Sequence, residues 1–342
     1  MRRADMAAAP ARTAWNVRAA ALGCGPDEPA RRVHIAQPEP KDPMQPLRPT
    51  HSDAARDPSS TDHSARRPGA AVLGLARRIR RGPGPVAQAH PAAGELRVAS
   101  YNVHKCVGTD GKFDPGRIAA VVAEIGADLV ALQEVDKRFG RRIGLLDAAA
   151  IERATGLVPL PVSDLPDGLG WHGNAILVRP GTTWRLHRLT LPGAEPRGAV
   201  LAELALPGGG GALRVVAAHF GLLRRCRARQ ASAILKAVAQ GEDLPTLVLG
   251  DLNEWRSDGA RSALRALEPL VGPVVGGPPS FPSRLPLFAL DKVLGCSRAR
   301  VRSVEAHDTP LARIASDHLP LKAWVRLHAA SHAAGRALAA AA

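Results

Sequence analysis

From residue 96 to residue 327, short runs of branched apolar residues alternate with amphipathic stretches, and most of the runs have polar side chains at an end. Residues 96–103 have the every-second-residue alternation of a strand and finish in Asn102, His104 and Lys105. Asp114-Pro115 marks a helix start, with Pro at the first helical position. Ile118, Val121, Val122 and Ile125 then share one face before Gly126 ends the helix. Residues 128–135 read as a buried strand ending in Glu134. A helical piece around 147–155 and a loop rich in Pro, Gly and Asp lead to a strand over 173–178, with Asn174 at its start.

Strands over 184–191, 198–206 and 213–218 follow, the last reaching His219. A helix is expected over 224–240. After it, Leu247-Val248-Leu249 stops at Gly250 and delivers Asp251 and Asn253 to a strand end. A second helix over 257–267 and the loop Ser280-Phe281-Pro282-Ser283 come next. Strands over 288–294, which holds Asp291, over 300–306, and over 318–327 after Ser316-Asp317-His318 complete the pattern. Strands in runs, with helices between others, predict two packed sheets with helices outside. No internal repeat is visible.

The texture is different before residue 95. Residues 1–94 hold 13 of the 30 prolines and no sustained periodicity, so they are expected to form a disordered, basic, Pro/Ala-rich extension. The folded domain is placed at 95–328, and 329–342 is read as an Ala-rich tail of frayed helix. The formal charge of +15 comes mostly from Arg and suits a polyanion or a phosphate-bearing substrate as well as plain solubility. Aromatic residues make up only 3% of the 342 residues, which argues against a base-stacking platform. No apolar run is long enough to span a membrane, and a cytoplasmic monomer is the expectation. Cys24, Cys106, Cys226 and Cys296 form no Cys-x-x-Cys pair and are expected to be reduced thiols.

The polar residues at strand ends are Asn102, Glu134, Asn174, His219, Asp251, Asn253, Asp291, Asp317 and His318. Carboxylates and carboxamides outnumber imidazoles and no thiolate is present, which favours Mg²⁺, with Mn²⁺ as the alternative, over zinc. Taken singly, each has an ordinary reading. Asp-x-Asn after a strand is commonly a turn, Glu134 or Asp291 alone an ion-paired residue, and His104 with Lys105 a polar loop. His172, His187 and His307 have no motif around them and are read as structural or exposed. The Arg-rich stretch 222–230 close behind His219 either meets an anionic substrate or forms a solvated helix face. The functional reading rests on the set.

Six motifs in order carry a resemblance. Ser100-Tyr101-Asn102-Val103-His104, Leu132-Gln133-Glu134-Val135, Ala218-His219-Phe220, Leu249-Gly250-Asp251-Leu252-Asn253, Leu290-Asp291-Lys292-Val293 and Ser316-Asp317-His318 resemble the endonuclease/exonuclease/phosphatase superfamily across residues 96–327. The resemblance implies an α/β fold: a four-layer α/β/β/α sandwich of two mixed sheets packed face to face, with helices outside. It also implies Mg²⁺-dependent hydrolysis of phosphate esters of a phosphodiesterase, nuclease-like kind. Carried over by residue, Glu134 is the main metal carboxylate, with Asn102 and Asp317 beside the same ion. Asp251 and Asn253 hold the attacking water or a second metal, together with the transition-state oxygen. His318 is the catalytic imidazole oriented by Asp291, and His219 a second imidazole near a phosphate oxygen or the leaving group. Asn174 and Arg197 border the substrate phosphate. The number of metals and the identity of the proton acceptor stay open.

Departures bear on the substrate. The loops with which abasic-DNA enzymes penetrate a duplex are not recognisable, and Lys292 stands where relatives often have an aromatic residue or His. Asn102-Val103-His104-Lys105 and His219-Phe220-Gly221-Leu222 are similar to bacterial members of uncertain substrate, some of them associated with phospholipid metabolism. The substrate expected is therefore nucleic acid or a phospholipid head group. The alternatives are a phospholipid or inositol-phosphate hydrolase of the same fold, and a non-catalytic polyanion-binding module.

Overall fold

Alternation along each strand sends neighbouring side chains to opposite faces, and here both faces of each sheet are apolar. The computed structural model describes residues 95–137, 140–256 and 261–328, the backbone of Trp15–Asn16, and positions 338 and 340. Its strands are β1 (Trp15–Asn16), β2 (Glu95–Asn102), β3 (Leu129–Gln133), β4 (Val158–Pro159), β5 (Ala175–Val178) and β6 (Thr183–Leu191). They continue with β7 (Arg197–Leu206), β8 (Gly211–His219), β9 (Thr246–Asp251), β10 (Asp291–Gly295), β11 (Ala299–Ala306) and β12 (Leu321–Leu327). The helices are α1 (Pro115–Ile125), α2 (Ala148–Thr155), α3 (Arg224–Ala239), α4 (Glu268–Val271) and α5 (Pro310–Ala315). One mixed sheet has the order β11-β12-β2-β3-β5-β4, and the other β1-β6-β7-β8-β9-β10.

Three apolar clusters define the layers. Val98, Leu129, Ala131 and Ile176 of the first sheet meet Val200, Val215, Leu247 and Leu249 of the second in a central core. Their neighbours Ala99, Tyr101, Val130 and Leu132 face outward onto Ile118, Val121 and Val122 of α1 and Ile151 of α2. On the far side, Leu201, Val216 and Val248 pack against Ala231, Ile234 and Val238 of α3. The arrangement is the expected α/β/β/α sandwich. Among the described residues, no helix is long and apolar enough to cross a membrane.

Local signals explain the boundaries. Asp114 caps α1 by accepting from the Arg117 amide at 3.1 Å, and Gly126 closes it in the left-handed region. The β-α-β units β2-α1-β3 and β8-α3-β9 have parallel strands, so Asn102 lies beside Gln133 and His219 beside Asp251 at matching carboxyl ends. Antiparallel β10 then places Asp291 directly opposite Asp251.

The structure differs from the sequence pattern in several places. The second helix expected over 257–267 is instead a 3₁₀ stretch, Ala263–Leu267, running into α4, with 257–260 outside the described residues. The strand expected over 288–294 starts only at Asp291, because Phe288 pairs with Phe281 in a tight hairpin. The last strand begins at Leu321, since Pro320 cannot donate to a ladder. Helix α5 was not anticipated, although Thr309-Pro310 is a start signal: Thr309 caps it at 3.1 Å from the Ala312 amide. Trp15–Asn16 runs parallel to His187–Arg188. The rest of the 1–94 extension, and most of the 329–342 tail, lie outside the described residues.

Gly250 does not stop β9, which continues through Asp251. Its φ is 150°, and a Cβ there would sit 1.8 Å from the Ala218 carbonyl oxygen. The close approach of β8 to β9, which sets His219 beside Asp251, therefore depends on glycine. Gly250→Ala is expected to destabilise the fold by roughly 4 kcal/mol or more, measured as a lower urea midpoint. A wild-type midpoint would show that the two strands can separate without cost.

Candidate active site

The carboxyl ends of the two sheets meet in a cleft of about 540 Å³. Asn102, His104, Lys105, Glu134, Arg197, His219, Asp251, Asn253, Asp317 and His318 all line it. Asn102 spans the gap between the sheets: its Nδ2 donates to Asp251 Oδ2 at 3.0 Å, and its Oδ1 accepts the His104 amide at 3.0 Å. Ser316 Oγ donates to the Asn102 carbonyl at 2.7 Å, tying in the segment that carries Asp317 and His318. A larger groove of about 1050 Å³ runs beside edge strand β10, but it gathers none of the paired imidazoles.

Asp251 is the hub on the second sheet. Its Oδ1 accepts the Asn253 amide at 3.0 Å, while Oδ2 lies 3.3 Å from His219 Nε2 and 3.8 Å from His318 Nε2. His318 Nδ1 lies 2.8 Å from Asp291 Oδ2, which also accepts from Ser280 Oγ at 2.5 Å. The His318 ring rests against Phe281, with centroids 4.8 Å apart. Asp291 is fully buried, so this pair is held in a fixed orientation.

The two imidazoles are driven in opposite directions. Burial, reinforced by Arg197 and His318, lowers His219 to about 4, against the pull of Asp251 and Glu134. Burial also works against a charged His318, but Asp291 overrides it by charge and hydrogen bond, aided by Asp251 and Asp317, and raises it to about 10. At neutral pH the site thus presents a neutral imidazole and an imidazolium. Burial would raise Glu134, yet His219, Lys105 and His104 outweigh it and hold the carboxyl at about 2.

Strained backbone is concentrated here. Among the described residues, seven other than Gly have positive φ: His104, Lys105, Cys106, Glu134, Arg142, His172 and Asn253. All but Cys106 line the cleft or its side recess. The left-handed conformation costs a side-chain-bearing residue on the order of 1 kcal/mol or more, so the fold spends stability to aim these groups inward. Gly173 allows the same approach from the other side, since a Cβ there would lie 3.3 Å from Glu134 Cα.

The side chains expected around a divalent cation are Glu134, Asn102 and Asp317. They offer oxygen donors at one end of the cleft, and the Lys105 ammonium donates to Glu134 Oε2, so a cation is already accommodated there. Among the described residues, no three His, Cys, Asp or Glu side chains form a preassembled metal cage. A hard ion bound through one or two carboxylates and retaining its waters fits this donor set, whereas a closed zinc site does not.

Two expected site residues occupy different positions. Arg197, at the start of β7, lines the cleft and pairs with Glu195 at 2.8 Å. Asn174 is buried in the wall; its Nδ2 donates to the Gly198 carbonyl at 3.0 Å and the Trp171 carbonyl at 3.1 Å, fixing β5 to the strand that carries Arg197. Sequence reasoning also passed over several residues. Lys105 and His104 are part of the cleft rather than a polar loop, and half-buried His172 lines the recess with Lys137 and Arg142. His307 instead pairs with Glu124 at 3.0 Å.

The Arg stretch on α3 fits neither of its readings as a whole. Arg225 and Arg229 are exposed, but Arg227 is fully buried, donating to the Leu222 carbonyl and lying 3.4 Å from Glu254 Oε2. Gln230 accepts the Gly221 amide at 2.9 Å. Helix α3 thereby clamps the loops that follow His219 and Asp251. Lys292 is buried beneath the same loop, donating to the Glu254 carbonyl at 2.9 Å, and burial lowers it to about 8. The spacing of Arg227 and Gln230, three apart and following an exposed Leu pair, was the available signal.

This fold and site define the class of protein. Residues 99–318 match the profile of the Endonuclease/Exonuclease/phosphatase family, and the chain belongs to that family. The Escherichia coli K12 protein YbhP, itself uncharacterized, is 29% identical over 246 residues, covering 68% of this chain and 96% of YbhP. Among solved structures, the catalytic domain of human Nocturnin with a bound sulfate anion is similar at TM-score 0.51 and 18% identity. That match covers 70% of this chain and 97% of that one. The mannosyl-6-phosphatase Bt3783 of Bacteroides thetaiotaomicron is similar at TM-score 0.50 and 16% identity, covering 67% of this chain and 98% of that one. Members of this family are phosphoester hydrolases, and the chain carries that general assignment.

The His318 pair makes a signed stability prediction. Its folded-state pKa is raised, so the contribution is complete below the unfolded value near 6.5 and is lost as pH rises through about 10. His318→Gln should therefore cost most stability at pH 6 and progressively less toward pH 10, in urea unfolding with EDTA. A pH-independent cost would contradict the charged pairing. Arg227→Met, which leaves Glu254 buried without its cation, should destabilise by about 3–5 kcal/mol in the same assay at pH 7.

Proposed function

We propose that the cleft is a phosphoric ester hydrolase centre in which water attacks phosphorus in line and the ester P–O bond opposite it breaks, releasing the alcohol. The observation that carries this reading is the row His219–Asp251–Asp291 across three adjacent strand ends, closed by His318 and faced by Glu134 from the other sheet. Glu134, with Asn102 and Asp317, would hold Mg²⁺ or Mn²⁺, which would supply charge neutralisation at the phosphate and favour deprotonation of water.

The protein's own groups supply the remainder. Asp251, fixed by Asn102 and flanked by both imidazoles, accepts the proton of the attacking water, and Asn253 steadies the same water. Asn253 is itself anchored, its Nδ2 donating to the Phe220 carbonyl at 3.0 Å. His318, with Nδ1 committed to Asp291, turns Nε2 into the cleft to donate to a phosphoryl oxygen as charge develops. Neutral His219 is placed to steady a second phosphate oxygen or the leaving group. Arg197 adds a fixed cation against the phosphate, and Asn174 acts through it by holding β5 on β7. Sulfate in Nocturnin and the phosphatase activity named for the Bacteroides protein are in keeping with a tetrahedral anion in this cleft.

The test is hydrolysis of bis(p-nitrophenyl) phosphate, p-nitrophenyl phosphate and plasmid DNA, each with Mg²⁺, Mn²⁺ or EDTA. Turnover should vanish in EDTA, and Glu134→Gln and His318→Ala should each lower kcat/KM by roughly 10²-fold or more. Full activity of Glu134→Gln in Mg²⁺ would dismiss this centre. Nucleic acid binding without hydrolysis of any ester would favour a polyanion-binding module instead.

A further inference from the structure

Exposed apolar side chains are gathered around the mouth of the cleft rather than scattered. Of the ten large hydrophobic residues exposed among those described, six stand on three loops: Leu222, Leu223, Trp255, Leu285, Leu287 and Phe288. These loops leave β8, leave β9 and enter β10. Leu222 is 65% exposed and Leu287 60%. The Trp255 and Phe288 rings meet edge-on with centroids 6.4 Å apart, and both line the cleft wall together with Leu222. The Leu287 and Phe288 amides both donate to the Phe281 carbonyl, at 2.9 and 2.8 Å, so a tight hairpin presents Leu285 and Leu287 near its tip. Single exposed leucines need no explanation; a group of them at the entrance to a site does.

Among the described residues, the exposed charge on the same loops is positive. Arg224, Arg225, Arg256, Arg261 and Arg284 accompany the apolar residues. The one carboxylate among the described residues of these loops, Glu254, is fully buried against Arg227. Exposed leucines, a Trp–Phe pair at the cleft wall and arginines on and next to the same loops make an interfacial composition. Apolar side chains enter the acyl boundary, aromatic rings sit at headgroup level, and guanidinium groups meet lipid phosphate. A nucleic acid would satisfy the arginines but leave the leucines in water.

We propose that this rim docks the cleft onto an anionic phospholipid bilayer, so that the phosphate ester reaching the Asp251–His318 centre is carried by a lipid. The substrate half of this inference rests on the phosphoesterase reading; the docking half rests on the rim alone. The experiment is co-sedimentation of the full chain, in EDTA, with vesicles of phosphatidylglycerol and phosphatidylcholine or of phosphatidylcholine only. The chain should partition onto the anionic vesicles, and the triple variant Leu223→Ser, Leu285→Ser, Leu287→Ser should lower that partitioning at least tenfold. None of these three lines the cleft, so bis(p-nitrophenyl) phosphate hydrolysis should be unchanged in the variant. Absence of wild-type binding, or equal binding by the variant, overturns the proposal, the latter assigning attachment to basic residues elsewhere. Loss of single-stranded DNA binding in the variant, with vesicle binding intact, would give the rim to nucleic acid and overturn it equally. Sedimentation needs no turnover, so a failed phosphoesterase reading would not obscure the result.

Discussion

The structure depends on one hydrogen bond between its two sheets, from the Asn102 amide to the Asp251 carboxylate at 3.0 Å. The residues are 149 positions apart and belong to strands that share no ladder. What brings them together is the central core, in which Leu129 and Val98 of one sheet face Leu247 and Leu249 of the other. Dispersion and burial set the distance between the sheets but give little angular precision. A buried polar pair does, because either partner left unmatched would carry a desolvation cost of about 1–3 kcal/mol. The Glu134 half and the imidazole half of the cleft are thereby held in register.

Around that bond the protein accepts local cost in return for geometry. Glu134 and Asn253 lie in left-handed backbone, and His104, Lys105 and Cys106 do so in succession. Arg227 and Glu254 are buried as an ion pair, and Lys292 is buried among backbone carbonyls. None of these is an economical way to stabilise a fold, since apolar residues of similar volume would commonly do as well. Their shared effect is to fix loops that would otherwise be the most mobile parts of the chain. The loop after β9 carries both strained Asn253 and exposed Trp255, so the cleft floor and the apolar rim share that segment.

The opposite shifts of the two imidazoles follow from one arrangement. Both are buried, which favours neutrality, and both approach Asp251. His318 has a second, closer carboxylate in Asp291, while His219 has Arg197 nearby. Asp291 and Asp317 around His318, against Arg197 beside His219, drive the two in opposite directions, and that separation provides a donor and a neutral group in the same site.

The sequence by itself determined most of the elements and the family. Period-two alternation, the Asp114-Pro115 start and the Gly126 stop specify β2-α1-β3, and six ordered motifs identify the family and its polar strand ends. These are local properties, written in neighbouring residues. Tertiary structure alone decided that Asn174 stays in the wall while Arg197 enters the cleft, that Lys105 sits on Glu134, and that Arg227 turns inward while Arg225 stays exposed. Only tertiary structure, too, gathered Leu222, Trp255 and Phe288, which lie far apart along the chain, around one cleft. The reason is physical: which way a polar or apolar side chain faces is settled by the partner that reaches it from another part of the chain, and periodicity carries no record of that partner.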